Sequence, residues 1–191
     1  MNWFDNKRTY VLLLIHQKKY VEAYDLINEV MNLKLFPNIP VFDIERWIII
    51  NAYMNYLITL NKLLPKKKKR FSIGKFLNEV PFFSQKKIGQ NISILIAHIL
   101  FLLHSKEYKK VEKRLAALHQ YQLRYLKGDL NLRSQYFIKA LQALPKSDYN
   151  PDQLKANTSV AIQQLKSTSM ADSKQAYDVE IIPYEHLWEI L

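Results

Sequence analysis

The sequence has no cysteine and only three glycines among 191 residues. The first absence excludes disulfides and thiolate metal sites and suits a reducing compartment, so a cytoplasmic protein is expected. The second removes the material for the tight turns that an all-β chain needs every ten residues or so. Gly74, Gly89 and Gly128 are also too far apart for a phosphate loop or a dinucleotide fingerprint, both of which need clustered glycines. Long apolar runs are lacking too. Ile92 to Leu103 falls short of the roughly 20 apolar residues that a bilayer span requires. Trp47 to Leu64 is interrupted by Asn51, Asn55 and Asn61. No membrane span is expected. No export signal is visible either, because Val11 to Ile15 is too short for a signal peptide's apolar core and follows Asp5.

Signs of catalysis are equally sparse. The five histidines, His16, His98, His104, His119 and His186, form no pair at metal spacing with a helpful carboxylate, and no HExxH occurs. No serine sits in a nucleophile elbow, and Glu45, Glu79 and Glu107 are scattered near lysines as surface charges. A non-enzymatic protein without metal or cofactor is expected. His16 and His104 read as residues at helix C-termini, where partial negative charge favours them.

What is present is 49% apolar residues, enough for a folded core, with Leu, Lys, Ile and Gln abundant. The periodicity is helical. The centre of the chain is Asn91 to Leu126. Ile92 to Leu103 is apolar except at Ser93 and His98, which predicts a helix buried all round, with Leu95, Ile99, Leu102 and Leu103 almost fully enclosed. Its partner shows Tyr108, Val111, Leu115, Leu118 and Leu126 between lysines. Elsewhere, hairpins are expected over about 6–33, 43–80 and 129–166. Asp43, Ser72, Asp129 and Asn150 are the expected N-caps, Gly128 lies just past a helix end, and Pro65, Pro81 and Pro145 act as stops. The helix over Leu130 to Leu144 should bury Leu132, Tyr136, Leu141 and Leu144. Ser167 to Lys174 reads as a loop. Residues 175–191 form a short docking segment, extended near Tyr177 to Ile182 and helical after Pro183.

An offset of 88 residues lays Val11 to Val30 on Ile99 to Leu118. Leu12, Leu14, His16, Lys18 and Tyr20 then fall on identical residues, five of twenty positions. Chance would give roughly one or two. Ala23, Ile27 and Val30 fall on Val111, Leu115 and Leu118. The offset equals two units of about 44 residues. At Tyr20, Val21, Glu22 and Ala23 the sequence resembles the second-helix opening of the tetratricopeptide repeat, where an aromatic is followed three residues later by alanine. Tyr108 to Val111 repeats it with valine in the last place. The family's small first-helix residue falls on Val11 and Ile99, and its tryptophan on Lys7 and Leu95, so the helices must cross less tightly. The resemblance implies one all-α domain over residues 1–191, a tetratricopeptide-like solenoid of stacked antiparallel hairpins whose concave face binds a protein or peptide.

Two features suggest where such a partner sits. Trp47, Asn51, Asn55 and Thr59 recur every four residues on one helix face, and amides can meet a peptide's N–H and C=O together without imposing a charge. The charge is +11. Its densest points are Lys66, Lys67, Lys68, Lys69 and Arg70, expected to be a solvated loop, and Lys106, Lys109, Lys110 and Lys113. An acidic protein or peptide is therefore the expected partner. A basic nucleic-acid-associated module is the alternative, although aromatics are not interleaved with the basic run.

Overall fold

A computed structural model describes residues 3–80, 88–126, 131–170 and 179–191. The described residues hold nine α-helices and one 3-10 turn, with no strand. They are α1 (Trp3–His16), α2 (Tyr20–Met31), the 3-10 turn (Phe36–Asn38), α3 (Val41–Thr59), α4 (Ile73–Glu79), α5 (Ile88–His104), α6 (Tyr108–Tyr125), α7 (Leu132–Lys146), α8 (Pro151–Ser167) and α9 (Tyr184–Glu189). The chain forms two compact units, 1–84 and 85–191. Within each, helices pack mainly on their sequence neighbours.

In the first unit, α1 and α2 form an antiparallel hairpin. Val11, Leu12, Leu14 and Ile15 meet Ala23, Tyr24, Ile27 and Val30, all buried. Helix α3 is the centre of this unit, with an unbroken buried run from Ala52 to Ile58. Its start differs from the sequence expectation. The N-cap is Pro40, three residues before Asp43, and its carbonyl accepts the Asp43 and Ile44 N–H groups at 2.8 and 3.1 Å. Asp43 instead lies in the first turn and accepts from Arg46 Nη1 at 3.4 Å. Ser72 does cap α4, its Oγ accepting the Lys75 N–H at 3.4 Å.

In the second unit, α5 pairs with α6, α6 with α7, α7 with α8, and α9 lies on α7 and α8. Leu95 and Ile99 are fully enclosed and Leu102 is 6% exposed, but Leu103 is only half-buried. Tyr108 is exposed too, since it leaves the hairpin seam to stack on Tyr149 at 4.1 Å. Leu132 and Tyr136 are half-buried, whereas Arg133, Ser134 and Phe137 occupy the buried face, so the true stripe is turned by one residue. Pro145 does not stop α7. It sits in the last turn, and the helix runs to Lys146. Asn150 caps α8, its Oδ1 accepting from the Asp152 and Gln153 N–H groups. Helix α8 continues through Ser167. Val179 to Ile182 is buried and carries no strand; Pro183 precedes α9 as expected. Pro81, Gly128, Asp129 and Tyr177, expected as a stop, a helix end, an N-cap and part of an extended piece, lie outside the described residues.

The first helix of each pair ends in the same way. The residue after the last turn is left-handed, at Lys18, Asn61, Lys106 and Asp148, with φ of 59°, 55°, 56° and 47°, and at the fourth corner Tyr149 is left-handed as well, at 57°. The N–H of the first left-handed residue donates to the carbonyl three residues back, and the next N–H to the carbonyl five back: Lys18 to Ile15 and Lys19 to Leu14, Lys106 to Leu103 and Glu107 to Leu102. Asn61 and Lys62, and Asp148 and Tyr149, repeat the pair. This arrangement satisfies carbonyls that a helix end leaves open. The four corners follow one another at 43, 45 and 42 residues.

Candidate functional site

The strongest candidate site lies in the first unit, along α3. Of the stripe expected there, Trp47 is core, at 1% exposure. The other three side chains are linked end to end. Asn55 Nδ2 donates to the Asn51 carbonyl at 2.8 Å and to Asn51 Oδ1 at 3.1 Å, and Thr59 Oγ1 donates to the Asn55 carbonyl at 2.9 Å. Such back-bonding to the previous turn fixes each side chain against its own helix. Asn55 Nδ2 is thereby engaged, while the Asn51 Nδ2 group makes no hydrogen bond among the described residues.

The basic segment crosses the same face. Lys66 to Arg70 is exposed and non-helical, as its mutual repulsion dictates, yet it is anchored. Leu63 before it is buried. The Lys69 N–H donates to Tyr24 Oη at 3.3 Å, and Lys69 Nζ donates to Asn32 Oδ1 at 2.9 Å, which tie the segment to α2. Phe71 then packs against Phe76 of α4, ring centroids 6.3 Å apart.

Two adjoining clefts result. One, of about 430 Å³, has an apolar floor that includes Met31, Phe36, Ile44, Ile48 and Phe76, with Asn51, Ser72, Lys75 and Glu79 at its polar edge. The other, of about 390 Å³, is lined by Asn55, Thr59, Lys68, Lys69, Arg70 and Phe71. Arg70 and Phe71 border both, so the clefts are neighbours. Lys75 is paired with Glu79 at 3.4 Å. Among the described residues, Lys68, Lys69 and Arg70 have no carboxylate partner, which leaves the second cleft with a positive field. The apolar lining was not foreseen. Met31, Phe36 and Phe76 come from three different elements, and no periodicity within one helix joins them.

The second group of cations belongs to the second unit. Lys106 occupies the left-handed corner, and Lys109, Lys110 and Lys113 are exposed on α6, with Lys110 paired to Glu107. His98 lies near this second group of cations. Burial, with repulsion from Arg114 and Lys110 against the pull of Glu107, pushes His98 down from 6.5 to about 4. His119 Nδ1 bonds Gln142 Nε2 at 2.8 Å. Among the described residues there is no group of three or more His, Cys, Asp or Glu that could hold a metal ion. No helix among them is long and apolar enough to cross a membrane. No family model, curated protein or solved structure matches the chain.

Proposed function

We propose that the protein is a non-enzymatic, cytoplasmic scaffold of tetratricopeptide-like type, and that it holds an acidic protein or peptide segment in the double cleft along α3. The observation that carries this reading is the meeting of Asn55 and Thr59 with Lys68, Lys69 and Arg70 around one cleft, beside a second, apolar-floored cleft that Asn51 and Arg70 border. A ligand site needs an apolar surface for contact area and a few fixed polar groups for orientation, and both are supplied here by anchored elements. The uncompensated cations favour carboxylates. The common corner at intervals of 43, 45 and 42 residues supports the repeat character of the scaffold.

The test is panning of a random peptide phage library on the full chain, at low and moderate salt, against the Lys68→Gln, Arg70→Gln variant. Enrichment of acidic peptides, with apparent affinity reduced about tenfold in the variant, is the expected result. Enrichment without acidic bias, or unchanged in the variant, would overturn it. Salt-sensitive retention of single-stranded DNA that competes with the peptides would favour the nucleic-acid reading instead.

A further inference from the structure

An antiparallel hairpin brings the beginning of α1 to the end of the unit where α2 finishes, and the 3-10 turn and the start of α3 lie at that same end. Large apolar side chains are exposed there: Trp3 at 46%, Leu33 at 36%, Leu35 at 67%, Val41 at 69% and Phe42 at 37%. They are not scattered. Trp3 meets Phe4 edge-to-face at 5.1 Å, and Phe4 meets Phe36 at 6.4 Å, which joins α1 to the turn that Leu35 precedes. Several large apolar side chains left exposed at one end of a unit are a feature of surfaces that meet more than water.

Cations accompany each part of it. Lys7 Nζ lies 5.3 Å from the centre of the Trp3 ring, and the Arg46 guanidinium lies 4.3 Å from that of Phe42. Lys34 is exposed between Leu33 and Leu35. Lys7 and Lys34 have no carboxylate partner among the described residues.

We infer that this end of the first unit is a surface for an anionic lipid bilayer, on which Leu35, Val41 and the Trp3 and Phe42 rings enter the headgroup layer. The placement of the lysine decides between a bilayer and a protein. Against a protein face, Lys34 between two leucines would have to be buried with a matching acid. On a bilayer its ammonium stays level with the phosphates while Leu33 and Leu35 pass beneath it. Aromatic rings flanked by cations suit the same boundary, and the +11 charge draws the whole chain toward anionic lipid.

The test is co-sedimentation of the full chain with phosphatidylcholine vesicles, with and without phosphatidylglycerol, together with quenching of tryptophan emission by lipid brominated near the headgroup. Trp47 is 1% exposed and contributes little to the quenching, and Trp188, half-buried in the second unit, is replaced by phenylalanine in every sample so that the signal reports on Trp3. Partition onto the anionic vesicles with quenching is expected, reduced about tenfold in the Leu35→Asp, Val41→Asp variant. Those positions are so exposed that the variant should keep its circular dichroism. The inference is overturned by absence of vesicle binding, or by binding that the variant retains and that only replacing Lys66 to Arg70 with glutamine abolishes. A concentration-dependent dimer lost in the variant, with no vesicle binding, would give the surface to a second copy.

Discussion

The Arg133 guanidinium grips the Glu180 carboxylate at both oxygens, Nε to Oε1 at 2.7 Å and Nη2 to Oε2 at 2.9 Å, with the two side chains 2% and 1% exposed. Arg133 Nη1 also donates to the Leu165 and Thr168 carbonyls, at 3.0 and 2.6 Å, and so closes the end of α8. The Tyr184 N–H donates to Glu180 Oε2 at 3.2 Å, and the Tyr184 ring stacks on Phe137 at 4.3 Å. One guanidinium thus joins α7, α8 and the C-terminal segment. Burial works against its charge, but the hydrogen bonds and charge of Glu180 and Glu185 outweigh burial and raise its pKa.

Removing one member of such a pair strands the other charge. Arg133→Met should therefore destabilise the protein by about 3–5 kcal/mol in urea titration. Arg133→Met combined with Glu180→Gln should recover at least half of that loss. The buried anion is then gone, and the amide oxygen can still accept from Tyr184. A double variant no more stable than the single one would show that the loss comes from the uncapped carbonyls of α8.

The helices, and the corners at Lys18 and Lys106, were legible because they rest on local rules: apolar periodicity, caps, and the matched residues around His16 and His104; the corner at Asn61 was not, since α3 ends at Thr59 and not at Pro65, the expected stop. The Arg133 and Glu180 pair was not, since its members are 47 residues apart and each side of the pair looks like an ordinary surface charge. A signal existed. Arg133 falls in line with Phe137, Ala140, Leu141 and Leu144, and Glu180 is the one charge among Val179, Ile181 and Ile182, so two opposite charges stood alone on apolar stripes. The asparagine stripe was half legible. Spacing put Asn51, Asn55 and Thr59 on one face, but burial of Trp47 depends on what packs against α3. The anchoring of the basic segment by Tyr24 and Asn32 depends on a contact across more than thirty residues.

Core packing of the central hairpin offers a paired test. Leu102, at 6% exposure, should lose about 2–5 kcal/mol on replacement by alanine, through lost burial and a residual cavity. Leu103→Ala, one residue on but half-buried, should lose less than half as much. Equal losses in denaturant titration would contradict the orientation of α5.

At the corners, lysine occupies a backbone conformation that favours glycine. Lys18 and Lys106 have φ of 59° and 56°, where a Cβ costs about 1 kcal/mol. Lys18→Gly and Lys106→Gly should each raise stability by roughly 0.5–1 kcal/mol, and about additively, because the two sites belong to separate hairpins. The same change at Lys109, inside α6, should instead lower stability by about 1 kcal/mol. Thermal melting of the three variants gives the comparison.

His98 supplies a pH dependence with a definite sign. Its Nδ1 is out of solvent without a hydrogen-bond partner, and burial, Arg114 and Lys110 hold it neutral down to about pH 4, while in the unfolded chain it protonates near 6.5. Between those values the unfolded state binds more protons. Stability from this residue is therefore fully present above pH 6.5 and is lost as the pH falls toward 4. Allowing for its partial exposure, the loss at pH 5 should be about 1 kcal/mol relative to pH 7. His98→Gln cannot titrate, so its urea midpoint should change less between pH 7 and pH 5 than that of the unaltered protein. An unaltered slope would mean that the imidazole accepts its proton in the folded hairpin, with Glu107 outweighing Arg114 and Lys110.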